Sequence, residues 1–224
     1  MGTQMKTCVI IGAAPVENRK QMEEFCADAF VICADGGLDV AAQHGIVPNL
    51  LVGDFDSVRT QPPQGVETIR LPVHKDDTDT MFAIREAIRR GYQEFVLLGV
   101  LGGERFDHSY AALCALQFIA MQNCRGVLVG DHCQVFVLSS GRLRLRDMTG
   151  QTVSVFPFGT PSCMVTYQGL EYPLNRHTLY SQDPLGVSNR ITEPVAEIIL
   201  HAGIALIIAV DNAQADRGEA AEPS

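Results

Sequence analysis

The sequence lacks any apolar stretch long enough to span a bilayer, which argues against a membrane-spanning helix. Its Cys8–Ala14 run follows Lys6 but is short and gives way at once to Pro15 and charged residues, so it reads as a first β-strand rather than a signal peptide. Positive charge is also scarce. The 17 Lys and Arg stand against 26 Asp and Glu, a formal net charge of −9, which argues against a nucleic-acid partner, because phosphate binding needs a basic surface. A nucleotide ligand stays open, because a bound metal reverses the local field. The seven cysteines (8, 26, 33, 114, 124, 133 and 163) show no paired metal-ligand spacing. Their odd count fits reduced thiols in a cytoplasm better than a disulfide framework. Neither a P-loop nor a dinucleotide-binding glycine pattern is present, nor is there an internal repeat. Tryptophan is absent altogether.

What remains is ordinary for a globular chain: 224 residues, 46% hydrophobic and 19% charged, enough for one large domain or two small ones. The first half alternates. Apolar runs at Thr7–Ile11, Phe30–Ala34, Leu50–Val52, Phe95–Leu98 and Val127–Val129 read as buried parallel strands. Between them lie helical patterns at Leu38–His44, Thr78–Arg90 with Gly91 as its stop, and His108–Gln122 with Asp107 as N-cap. The expected fold class is therefore α/β: an N-terminal open, mainly parallel sheet flanked by helices.

After Gly130 the pattern changes to short strands and turns: Gln134–Leu138, Arg142–Arg146, Gln151–Phe156, Cys163–Tyr167, Ile198–Leu200 and Ala205–Ala209, with His201-Ala202-Gly203 as a turn. That predicts a smaller C-terminal antiparallel β-sandwich or barrel domain. The boundaries expected are 1–131 for the α/β domain, 132–211 for the β domain and 212–224 for a polar, disordered tail.

Four acidic motifs follow, or nearly follow, the first-half strands, on the edge where open parallel sheets bind ligands. Gly53-Asp54-Phe55-Asp56-Ser57 is the most informative. Residues two apart on an extended segment face the same way, so Asp54 and Asp56 can share a cation; a plain turn is the competing reading. Lys75-Asp76-Asp77-Thr78-Asp79 opens a helix, where Thr78 caps and acids suit the dipole. Three acids and a lysine exceed that need and suit a phosphate shared with a metal. Gly102-Gly103-Glu104-Arg105-Phe106-Asp107-His108 joins strand to helix; its glycines allow close backbone approach and Arg105 a phosphate clamp. Asp107 suits metal or base work, and a capped βα turn explains the same residues. Asp35-Gly36-Gly37 is the weakest, and His108 is a marginal phosphate contact. His44, His74, His132, His177 and His201 have no ligand spacing and read as surface or turn residues. In the second half, Ser188-Asn189 is either a β-turn or a pair that hydrogen-bonds a polar heteroaromatic ligand.

These motifs, in this order, resemble the thiamine pyrophosphokinase family, in its bacterial form, over nearly the whole chain except the tail. The resemblance implies transfer of the pyrophosphoryl group of ATP to the hydroxyl of thiamine, releasing AMP, with Mg²⁺ as cofactor. It also implies a homodimer whose active site lies at the subunit interface. Carried over by motif, Asp54, Asp56 and Asp79 are the metal ligands and, with Asp107, the catalytic acids. Asp35, Gly36, Lys75, Asp76, Thr78, Gly103, Arg105 and His108 fall on the ATP and phosphate side, and Ser188 and Asn189 on the thiamine side. One departure stands out: some members stack thiamine on a tryptophan, and this chain has none. The competing readings are a pyrophosphokinase of the same fold acting on another alcohol, such as a hydroxymethyl pterin, a non-catalytic thiamine or nucleotide binder, and a Mg²⁺-dependent phosphohydrolase.

Overall fold

The strands of the first half pair in parallel: β1 (Thr7–Ile11), β2 (Phe30–Ala34), β3 (Leu50–Gly53), β4 (Glu67–Arg70), β5 (Glu94–Leu98) and β6 (Arg125–Val129), side by side in the order β6-β5-β1-β2-β3-β4. The computed structural model describes residues 6–56, 58–72, 78–102 and 105–212. It divides between Asp131 and His132 into two compact units. Continuous burial of β1, β2, β3 and β5 follows from helices on both faces of the sheet. Helices α1 (Arg19–Cys26) and α2 (Gly37–Gln43) close one face around Val9, Ile11, Met22, Cys33, Leu38 and Leu51. The alternate residues Cys8, Ile10, Ile32 and Leu50, fully buried, point to the other face, where α3 (Asp79–Arg89) and α4 (Phe106–Met121) contact the sheet.

The chain runs outward from β1 through β2 and β3 to β4, then returns to the opposite side of β1 with β5 and β6. The chain therefore leaves β1 and β5 in opposite directions across the sheet, and their carboxyl ends mark the topological switch point where such sheets bind ligands. At that point Gly12 donates its amide to the Leu98 carbonyl over 2.8 Å. A Cβ on Gly12 would lie 2.6 Å from the Gly99 carbonyl oxygen, and one on Gly99 2.6 Å from that of Gly12. Nothing larger than glycine fits on either side.

In the second unit, β7 (Cys133–Leu138), β9 (Thr152–Pro157), β12 (Asn189–Arg190) and β14 (Ala205–Val210) form antiparallel pairs in the order β12-β9-β14-β7. A separate four-stranded sheet orders β11 (His177–Tyr180), β10 (Ser162–Gln168), β13 (Val195–Ala202) and β8 (Gly141–Arg146) as β11-β10-β13-β8. Inward residues of both sheets, among them Val153, Val155, Val165, Tyr167, Ile198 and Ile207, share one core. The result is a β-sandwich. Outward on edge strand β8 stand Arg142, Arg144 and Arg146, all exposed, a charge pattern that discourages edge pairing. Glu197 on β13 accepts from Arg142 at 3.4 Å and from Arg144.

The fold class agrees with the sequence reading, with local corrections. Helix α1 escaped notice because its polar sequence RKQMEEFC buries only Met22 and Cys26. Strand β4 escaped because as an edge it is mostly exposed. The expected turn at His201-Ala202 is instead the end of β13, and the reversal begins at Gly203, whose φ is +79°. Asp107 is not the N-cap of α4; the cap position is Arg105. His44 is no surface residue. It is 9% exposed, and its Nε2 lies 2.9 Å from the Val16 carbonyl oxygen. Asn212, assigned to the tail, hydrogen-bonds the Gly150 carbonyl at 3.2 Å and the Thr152 hydroxyl at 2.8 Å. Residues 213–224 lie outside the described residues. All seven cysteines are free thiols.

Candidate active site

The first motif owes its glycines to packing. A Cβ on Gly37 would stand 2.0 Å from the Ile11 carbonyl oxygen, and one on Gly36 would stand 2.9 Å from the Ala13 Cβ. Without side chains there, the start of α2 settles directly onto the end of β1. Asp35 precedes it with φ +45°, a left-handed conformation that short polar side chains tolerate. Its amide donates to the Val52 carbonyl over 2.8 Å, placing the carboxylate beside the loop that follows β3.

That loop is a turn, which overturns the extended geometry expected for Asp54 and Asp56. Phe55 has φ +61°, and Asp54 Oδ1 accepts the Asp56 amide at 3.1 Å. Further on, Asp39, third residue of α2, accepts the Thr60 amide at 2.7 Å and the Arg59 amide at 3.1 Å. The Thr60 hydroxyl, first, and these amides hold the Asp39 carboxyl below its ordinary range.

Asp79 begins α3, where Thr78 is the N-cap and accepts the Met81 amide at 3.1 Å, the local role foreseen for it. The structure brings Asp79, Asp54 and Asp35 together electrostatically. Burial pushes the Asp35 carboxyl up; the Gly36 amide opposes this, the charges of Asp79 and Asp54 add to it, and the Phe55 amide pulls it back. Three carboxylates within electrostatic reach of one another at a half-buried position suit a hard, oxygen-preferring cation. Among the described residues no three Asp, Glu, His or Cys side chains stand close enough to hold a metal ion unaided. Lys75, Asp76 and Gly103 of the expected site, with their neighbours Ser57, Asp77 and Glu104, lie outside the described residues.

At the mouth of α4, Arg105 and Asp107 are taken up with each other: Nε to Oδ1 at 2.9 Å and Nη2 to Oδ2 at 2.6 Å. Arg105 pulls the Asp107 carboxyl down to about 2. His108 is exposed in the first turn of the same helix, its amide bonded to the Arg105 carbonyl at 3.1 Å.

The pair expected on the thiamine side divides. Asn189 is 7% exposed and spends its amide on backbone. Oδ1 accepts from Tyr172 at 3.1 Å and Arg190 at 2.8 Å, and Nδ2 donates to the Tyr172 carbonyl at 2.8 Å. It shapes the Tyr172 loop rather than offering a free amide to a ligand. Ser188 is exposed, with φ +57° and its amide bonded to the Ser154 hydroxyl at 3.0 Å.

Two features were missed in the sequence. The Gly12/Gly99 contact was signalled only by a glycine directly after each of two apolar runs. Asp39 gave less: one acid in the first turn of a short helix, which the dipole alone explains.

Comparison with known proteins places this geometry. Residues 23–128 match the thiamin pyrophosphokinase catalytic domain, and residues 142–205 match the thiamin pyrophosphokinase vitamin B1 binding domain. Thiamine pyrophosphokinase 1 of Oryza sativa subsp. japonica is 27% identical over 180 residues, covering 74% of this chain and 67% of that protein. Thiamine pyrophosphokinase of Bacillus subtilis (strain 168) is 24% identical over 211 residues, covering 91% and 98%. The crystal structure of thiamine pyrophosphokinase from Bacillus subtilis superposes with a TM-score of 0.82 at 22% identity, over 92% of this chain and all of that one (100%). With its parallel-sheet unit and its β-sandwich unit each matched to a domain of that family, this chain belongs to the thiamine pyrophosphokinases.

Proposed function

We propose that the chain transfers the pyrophosphoryl group of ATP to the hydroxyl of thiamine, giving thiamine pyrophosphate and AMP. The observation that carries this reading is the gathering of Asp35, Asp54 and Asp79 at the carboxyl edge of the parallel sheet, in a chain with both domains of the family. Carboxylate oxygens fit Mg²⁺ in chemistry, and Asp54, Asp56 and Asp79 would hold it together with phosphate oxygens of ATP. Bound there, Mg²⁺ would supply neutralisation of the triphosphate charge.

The chain's own residues do the positioning. The carboxyl edge of the parallel sheet at the β1/β5 switch point is where the nucleotide docks, with Gly36, Thr78, Lys75, Asp76 and Gly103 on the phosphate side. Arg105 is a phosphate contact once it releases Asp107, an exchange of one anionic partner for another. Asp107, held at about 2 by that pairing, is poorly matched to accept an alcohol proton. Asp107 becomes available as a base only when Arg105 turns to the phosphate, and Asp79 is the other carboxylate in place for that task. Ser188 presents its hydroxyl to thiamine, and Asn189 acts through the loop it holds.

The same reading makes the protein a homodimer with the active site at the subunit interface. Large apolar side chains exposed on both units support it: Phe106 at 81%, Tyr172 at 64% and Leu185 at 56%. A cytoplasmic location is supported by seven free thiols.

Incubation of the purified protein with ATP, Mg²⁺ and thiamine should yield thiamine pyrophosphate and AMP in equal amounts. Formation of ADP with thiamine monophosphate would refute pyrophosphoryl transfer. Turnover of a hydroxymethyl pterin but not of thiamine would refute the acceptor.

A further inference from the structure

Asp54 and Asp56, the acids assigned to the cation, lie with Phe55 in no helix or strand, and neither do Val58, Arg59 and Thr60 beyond them. The order of this segment must come from neighbours. Near its start, Asp54 Oδ1 accepts the Asp56 amide at 3.1 Å. At its far end, the Thr60 and Arg59 amides converge on the two oxygens of Asp39, at 2.7 Å to Oδ1 and 3.1 Å to Oδ2. Asp39 is itself fixed: it lies in the first turn of α2, and its own amide donates to the Gly36 carbonyl at 3.1 Å. That turn is seated on β1 by Gly37. The far end of the loop is thus tied to the start of α2.

We propose that Asp39 is a positioning residue for the pyrophosphoryl-transfer site: its carboxylate, by holding the Arg59 and Thr60 amides, fixes the loop that presents Asp54 and Asp56. This rests on the assignment of those two acids to the cation. A charged acceptor taking two backbone donors is stronger than a neutral one. Its loss frees the loop end, whereas the dipole role of an acid in a helix's first turn ends at the helix itself. Outer-shell carboxylates that orient metal ligands act in this way.

The intact chain carrying Asp39→Ala should show amide exchange at Arg59 and Thr60 accelerated by about tenfold or more, with the amides of Ala83 and Ile84 in α3 unchanged. Mn²⁺, used as a spectroscopic probe in the presence of ATP, should bind about tenfold more weakly. The KM for metal–ATP should rise while kcat at saturation stays within about twofold. Asp39→Asn, which keeps one acceptor oxygen for Thr60 but turns a donor toward Arg59, should fall between. Unchanged exchange at Arg59 and Thr60 overturns the proposal. So does a loss confined to thermal stability with Mn²⁺ affinity intact. Should Asp39→Ala fold poorly, Thr60→Val removes only the hydroxyl partner and should shift the same readouts in the same direction, by less; no shift counts against the tie. If the unaltered chain binds no Mn²⁺ with ATP, the cation assignment fails, and the exchange rates still decide whether Asp39 holds the loop.

Discussion

Tyr167 lies in the sandwich core, 3% exposed, and its hydroxyl has no hydrogen-bond partner among the described residues. Burial pushes the phenol well above its ordinary value, and a buried hydroxyl left without a partner costs about 1–3 kcal/mol. Tyr167→Phe should therefore raise stability by about 1 kcal/mol, seen as a higher urea midpoint at unchanged slope. A clear loss of stability would mean that the hydroxyl has a partner. Residues at this scale were legible in the sequence when their task was local. Thr78 caps α3, and Gly91, with φ +88°, stops it. Tasks set by distant neighbours were not legible. Asn189 was recognisable as a polar residue in a β-rich segment, but its commitment to the Tyr172 backbone depends on a loop 17 residues away. Asp54 and Asp56 could not be oriented, because the left-handed Phe55 between them breaks the alternation of an extended chain.

Helix α3 shows how an element carries a site residue. It buries Ala83, Ile84 and Ala87, and its far end is clamped by charge. Glu86, 8% exposed, takes Arg89 at 2.7 Å and Arg90 at 2.7 Å, while Arg90 reaches Glu67 on β4 at 2.9 Å. With its C-terminal turn tied to the edge strand, the helix holds Asp79 at a fixed place at its other end. The Arg89 guanidinium, more than Arg90, draws the Glu86 carboxyl down to about 2 from an ordinary 4.5. The folded-state value lies below the unfolded one, so Glu86 stabilises the fold above about pH 4.5, and that contribution is lost as pH falls toward 2. Glu86→Gln should cost about 1–3 kcal/mol at neutral pH and flatten the acid limb of the stability curve. An unchanged acid limb would remove Glu86 from that role. The periodicity of α3 was readable because it is amphipathic. Helix α1 was not, since its apolar stripe amounts to Met22 and Cys26.

At the scale of the molecule, the acids sit on one unit and Ser188 on the other. If each active site joins the α/β unit of one subunit to the β unit of its partner, two differently damaged chains can complement each other. On the proposed assignment, Asp56→Asn would remove a cation ligand and Ser188→Lys would set a cation against the thiazolium; each homodimer should be inactive. Co-refolded in equal amounts, half of the dimers would be mixed and hold one intact site of two, restoring roughly a quarter of wild-type activity. No recovery would place each site within a single subunit.

The sequence alone determined the alternation of apolar strands and helices, the change to short β-strands after Gly130 and the place of Asp35 and Asp54 just past apolar strands. These are patterns of neighbouring residues, and hydrophobic periodicity and capping act over a few residues at a time. Tertiary structure decided which acids meet. Asp35, Asp54 and Asp79 are far apart in sequence and come within electrostatic reach only because β2, β3 and the start of α3 share one sheet edge. It also decided that Arg105 holds Asp107 and that Asp39 holds the Arg59–Thr60 amides. Those partnerships depend on where folded backbone delivers a donor to a charge, a distance that residue order does not contain.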